Sequence, residues 1–207
     1  QRENCFYYIT TMKENYPQPA MPSGVELGII QGMYPLMSGS SATLSVQLMG
    51  AGTILNEVIE AAQILRKDFS IESDIWSLTS INQLVREGQS IARWNLLHPT
   101  AEQQQSFVER SMADRQGPVV IATDYMKNYA EQLRAYVRSP LYVLGTDGFG
   151  RSDSREALRH FFEVDRYFIV LTALKALADQ GAIEVDVVAA AMKKFGIDSE
   201  KSNPLIA

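Results

Sequence analysis

Six polar or charged side chains crowd one short stretch of this chain. In Val143-Leu144-Gly145-Thr146-Asp147-Gly148-Phe149-Gly150-Arg151-Ser152-Asp153-Ser154-Arg155, the residues Asp147, Arg151, Ser152, Asp153, Ser154 and Arg155 fall within nine positions. The stretch reads as the end of a strand, a glycine-rich loop and the start of a helix. In an open α/β sheet, the crevice beyond the carboxyl ends of the strands is where ligands or partners sit. His160 follows on the helix that this loop opens, and an imidazole can hold or release a proton near neutral pH. A purely structural reading of the same residues is equally definite. Asp153 followed by Glu156 three positions on is a capping-box pattern, and Glu156 with His160 is an i, i+4 surface pair.

Other chemistries find less support. Gly50-x-Gly52 between a strand and a helix opens like a dinucleotide fingerprint, but its third glycine would fall where the chain has Leu55, so the small residues read as room for a helix to pack close to the sheet. His98 and His160 are the two histidines; a zinc site would need carboxylates or Cys5 from distant segments, and no i, i+4 ligand pair stands out. His98, before Pro99, reads as a turn residue. No Gly-x-Ser-x-Gly occurs, and Gly150-Arg151-Ser152-Asp153 lacks the closing glycine of a nucleophile elbow. The one cysteine, Cys5, lies in the apolar run Cys5-Phe6-Tyr7-Tyr8-Ile9 and reads as a buried structural thiol.

The elements that would position the loop follow from periodicity. Residues 5–11 alternate aromatic and β-branched types and predict a strand. Pro17, Pro19 and Pro22 then forbid helix or central strand and make the segment to Gly24 a linker or extended arm. A short helix is expected at 25–34 and a small-residue turn at 39–41. Strands are predicted at 43–49, 74–79, 119–122 and 141–145. Helices are predicted at 53–69, 80–94 (interrupted by Gly88), 125–138, 153–162, 166–180 and 184–195, and a short helix or loop at 102–113. The 53–69 helix shows a stripe of Leu55, Val58, Ala62, Leu65 and Phe69; the 125–138 helix sets Met126, Tyr129, Leu133 and Tyr136 on one side. Gly181 and Gly196 end the last two helices. This alternation predicts a mainly parallel sheet covered by helices on both faces.

The chain has 207 residues, 46% of them hydrophobic, which suffices for one core with an appendage. A net charge of -5, with cations scattered, argues against nucleic acid as a partner. The adjacent pairs Arg66-Lys67 and Lys193-Lys194 fall near predicted helix ends, where cations suit the helix dipole. One cysteine excludes a disulfide framework and favours a cytoplasmic location. No apolar run approaches the roughly 20 residues that span a bilayer, so no membrane is implied. The chain opens on Gln1 and enters strand-like sequence at once, which predicts a piece of a longer protein.

Specific segments also resemble a known family. Phe6-Tyr7-Tyr8-Ile9-Thr10-Thr11 with Glu14-Asn15-Tyr16, Pro19-Ala20-Met21-Pro22, Trp94-Asn95, Leu97-His98-Pro99, Ala122-Thr123-Asp124-Tyr125-Met126-Lys127, Leu144 to Arg155, Phe162-Glu163-Val164-Asp165 and Asn203-Pro204 are similar, in order, to the C-terminal region of the homodimeric type of pyruvate dehydrogenase. The chain departs from the family pattern at 100–117, where a proline-containing connection is usual, and at Phe161, where some members carry a second histidine.

The resemblance implies a three-layer α/β/α fold around a five-stranded, mostly parallel sheet, as in transketolase C-terminal domains. It implies that residues 1–23 are the last strand of a middle domain and a proline-rich linker, and that 24–207 are the C-terminal domain. It implies a homodimeric enzyme that decarboxylates pyruvate with thiamine diphosphate and a magnesium ion. The enzyme then reductively acetylates a lipoyl group of the dihydrolipoyl acetyltransferase component of a multienzyme complex. Cofactor, metal and catalytic ligands are expected upstream of this piece, leaving it without a complete active site. Three roles follow for it: lining the lipoyl channel with Asp147, Arg151, Ser152, Ser154 and His160; burying dimer surface; or docking the peripheral-subunit-binding domain of the acetyltransferase. From another class, the alternative is a free-standing flavodoxin-like binding module.

Overall fold

The structure, a computed structural model, describes residues 4, 6, 9, 11–39 and 44–207. The strand expected at 5–11, with Cys5, and the turn at 39–41 lie largely outside these residues. Strands β1 (Met33–Met37), β2 (Ser45–Ala51), β3 (Glu72–Leu78), β4 (Val119–Ala122) and β5 (Leu141–Leu144) form one sheet in the order β1-β3-β2-β4-β5. β3, β2, β4 and β5 are parallel, and β1 pairs antiparallel with β3 at the edge.

Alternation along the strands builds two cores. Val46, Leu48, Val120 and Ala122 face helices α2 (Ile54–Phe69) and α7 (Arg166–Asp179), with α8 (Val185–Phe195) beyond them. Met49, Val119 and Ile121 face α3 (Ile81–Leu97), α4 (Phe107–Met112) and α5 (Lys127–Glu131). The layers are thus α/β/α, as expected. The stripe of α2 buries Leu55, Val58 and Leu65, and Gly50 lets that helix in: a Cβ there would stand 2.7 Å from the Leu55 Cα. Arg66 and Lys67 fall in the last turn of α2, and Lys193 and Lys194 in that of α8.

Four expectations need correction. The segment 25–34 is not one helix: α1 covers Glu26–Gln31, and β1 follows after Gly32. Pro35 hid that strand, because a proline cannot donate to a ladder; an edge position tolerates it, and the β1 register shifts between Pro35 and Met37. Gly88 does not interrupt α3, which runs on to Leu97. It makes room for the Tyr136 ring, whose Cζ would be 2.5 Å from a Cβ there. The 125–138 helix splits into α5 and a 3-10 helix at Gln132–Tyr136, and Met126 stays 57% exposed instead of joining the core side. Asp153 is not the cap of α6 (Arg155–Phe161): the Ser154 hydroxyl accepts from the Ala157 N–H at 3.2 Å, and Asp153 accepts from the Ser154 N–H.

Candidate functional site

The parallel strands end together, and β2, β4 and β5 each lead into a loop at that end. A cleft of about 300 Å³ opens there between the start of α2 and α6, lined by Thr53, Asp124, Thr146, Gly148, Gly150, Arg151, Arg155 and Arg159 among others. The loop at 145–154 is held from two sides. Asp147 Oδ1 accepts from the Lys127 N–H at 3.1 Å, tying it to the start of α5. On the other side the chain's tail crosses it: Gly148 has φ +104°, and a Cβ there would lie 2.1 Å from the Pro204 carbonyl oxygen. Only glycine satisfies both the backbone angle and the contact.

Behind the cleft sits a charged cluster that the motifs did not announce. Glu57 is 5% exposed, on the buried side of α2. Arg159 donates to its Oε1 at 3.0 Å. Arg166 donates from Nε at 2.9 Å, from Nη2 at 3.1 Å and from its backbone N–H at 3.1 Å. Burial alone would raise the Glu57 carboxyl; the hydrogen bonds and charge of Arg166, with the charge of Arg159, outweigh it and hold the carboxyl below its ordinary 4.5. Removing either side would strand a buried charge, so the cluster locks α2, α6 and the start of α7 together. A sequence signal for it existed: Glu57 stands three positions after Ile54 and four before Ala61, on the apolar side of its helix, where a glutamate needs a partner.

The five residues singled out by sequence have different employments. Asp147 anchors the loop, and Ser154 caps α6. His160 does not pair with Glu156; its Nδ1 lies 2.9 Å from Asp165 Oδ2. The helix turns at Phe162 and Glu163, bringing Asp165 nearer than the i, i+4 partner. Asp165 Oδ1 meanwhile accepts from the Tyr167 and Phe168 N–H groups, both at 3.0 Å, capping α7. Arg151 lays its guanidinium 4.1 Å from the Phe161 ring centre and lines the cleft. Ser152 shares a neighbouring hollow with Arg151, Asp153 and Phe161. His98 is the turn residue expected of it, stacked 4.3 Å from the Trp94 ring at the end of α3. Among the described residues no group of three His, Cys, Asp or Glu side chains is placed to hold a metal ion, and no helix is long and apolar enough to cross a membrane.

Comparison with known proteins settles the family. The profile described as "Transketolase-like TK C-terminal domain" matches residues 32–165. The chain belongs to this transketolase-like C-terminal domain family. The matched residues hold all five strands and reach Asp165, the cap of α7. Membership of this family displaces the free-standing flavodoxin-like module. The chain is 59% identical over 207 residues to the pyruvate dehydrogenase E1 component of Pseudomonas aeruginosa, covering 99% of this chain and 24% of that protein. It is 53% identical to that of Cupriavidus necator (99% and 23%) and 51% identical to that of Escherichia coli K12 (100% and 23%). It therefore spans about a quarter of the length of these relatives. Among solved structures, a transketolase mutant from Pichia stipitis aligns with TM-score 0.53 at 16% identity, covering 82% of this chain and 21% of that one. Transketolase from Campylobacter jejuni aligns at 0.50 and 16%, covering 77% and 20%. These likenesses concern the fold.

Proposed function

We propose that this chain is the C-terminal domain of a homodimeric pyruvate dehydrogenase. That enzyme decarboxylates pyruvate with thiamine diphosphate and passes the two-carbon unit to the lipoyl group of a dihydrolipoyl acetyltransferase, in a cytoplasmic multienzyme complex. The supporting observation is the 59% identity to a pyruvate dehydrogenase E1 component along 99% of the chain. In this reading residues 1–23 are the end of a middle domain and its linker, and 24–207 are the closing domain.

The cleft described above does not fit thiamine diphosphate with magnesium. A magnesium diphosphate needs oxygen ligands gathered at one point. Among the described residues no three carboxylate, imidazole or thiol side chains gather so; Asp147 accepts from the start of α5, and Glu57 is held by two arginines. The domain's part is instead mechanical and electrostatic. Asp147, Ser154 and His160 hold the loop and the α6–α7 corner in place. Arg151 and Ser152 stand at the exposed rim, where we place the mouth that admits the lipoyl arm, and other surface of the domain is buried against the second subunit.

The decisive experiment uses the full-length protein with pyruvate, thiamine diphosphate, magnesium and a lipoylated acceptor domain. Pyruvate-dependent acetylation of the lipoyl group, lost when thiamine diphosphate is omitted, is the expected result. A folded, cofactor-saturated protein that leaves pyruvate and the lipoyl group untouched would refute the proposal.

A further inference from the structure

The sheet order puts β2 in the centre, with the chain leaving it to β3 on one side and crossing back to β4 on the other. The carboxyl ends of β2 and β4 therefore flank the topological switch point, the ordinary ligand crevice of such sheets. Here the chain's own proline arm runs along that crevice. Met12, Pro17, Gln18 and Pro19 form one wall of a partly open space of about 520 Å³ that Gly52, Asn56, Asp124 and Tyr125 line from the crevice and Ser77 to Thr79 from the end of β3.

The arm is fastened beside this wall. Tyr16 donates from its hydroxyl to Glu14 Oε2 at 2.8 Å. Arg155 donates from Nε to Glu14 Oε1 at 3.2 Å. Arg159 stands 5.6 Å from the Tyr16 ring centre and donates to its hydroxyl at 3.4 Å. The same Arg159 guanidinium is pinned from behind by buried Glu57. Arg155 and Arg159 lie one turn apart on α6, so one helix face grips both arm residues. The prolines between Tyr16 and the crevice keep the arm extended, which lowers the entropy lost on docking.

We propose that residues 12–19 are a strap that walls the switch-point crevice, clamped by Arg155 and Arg159, with Glu57 acting as the positioning residue that aims Arg159 at Tyr16. A ligand or partner that uses this crevice meets the strap as one of its walls. The inference concerns this chain's own contacts and stands whichever enzyme the full-length protein proves to be.

Limited proteolysis of the full-length protein tests it. Lys13 lies inside the strap, and trypsin needs a locally released segment to cut after it. Tyr16→Ala and Arg155→Ala remove a cation–π contact and an exposed ion pair, so cleavage after Lys13 is expected to run about two- to fivefold faster in each. Glu57→Gln, which does not touch the strap, is expected to speed it as well. Where Glu57→Gln weakens the whole fold and opens other sites, the two surface variants decide. Cleavage after Lys13 at the same rate in Tyr16→Ala, Arg155→Ala and the unaltered protein overturns the strap.

Discussion

Glu57 is a charged residue where a helix should be apolar, and its environment makes a signed prediction. Its carboxyl is held below 4.5 in the folded chain. A depressed carboxyl contributes stability above its unfolded value, and that contribution is lost as pH falls below 4.5 through the lower folded value. Glu57→Gln should cost about 3 kcal/mol at neutral pH, since it leaves two arginines facing a neutral group. The gap between variant and unaltered protein should shrink as the pH is taken from about 7 to about 3.5. Urea unfolding midpoints at the two pH values check this; a constant gap would show that the cluster's charge is not what stabilises. Under the proposed function, Arg151 stands beside the path of the lipoyl arm. In the full-length protein, Arg151→Ala should raise the KM for a lipoyl domain severalfold while leaving pyruvate decarboxylation alone, as steady-state assays of the two half-reactions would show. Equal loss in both would place Arg151 outside the lipoyl path. Sequence made Arg151 visible because it sits in a polar, glycine-rich run. It left Arg159 unremarked, because that role depends on Glu57, 102 positions away.

At the scale of elements, the corner between α6 and α7 carries much of the architecture near the cleft. Asp165 caps α7 through one carboxylate oxygen and holds His160 through the other. Losing a cap of this kind costs about 1–2 kcal/mol, so Asp165→Ala should lower stability by at least that amount. Asp165→Asn, which can keep the cap, should recover most of it; thermal unfolding of the two variants measures the difference. The regular elements were legible wherever one period dominated. Val119-Val120-Ile121-Ala122 is a buried strand on both faces, and its bounds match the prediction. The failures have local causes. β1 contains a proline that only an edge strand can absorb. Helix α4 opens on Ser106-Phe107-Val108-Glu109, a true capping box, while the surrounding polar sequence at 102–113 left helix and loop equally open. Ser154 and Asp153 compete for one cap, and the hydroxyl takes it.

On the scale of the molecule, the sheet of parallel strands was readable from alternation, whereas its fifth strand was implied by resemblance and turned out to be Met33–Met37. The loop at 145–154 was readable as the site's position, because glycine and polar residues concentrate there. Its close approach to Pro204 was not, since nothing in the tail's sequence says where it crosses. That approach predicts that Gly148→Ala destabilises the domain by about 2 kcal/mol or more, through backbone strain and the clash with the Pro204 carbonyl. Chemical denaturation would measure it, and a neutral effect would mean the tail moves aside freely. Under the proposed function, this domain supports a reaction centre built elsewhere in the protein. Calorimetric titration of thiamine diphosphate and magnesium into the full-length protein and into the 207-residue chain tests that directly. Saturable binding to the full-length protein, with none to the folded chain alone, is the predicted result; tight, stoichiometric binding to the chain alone would contradict it.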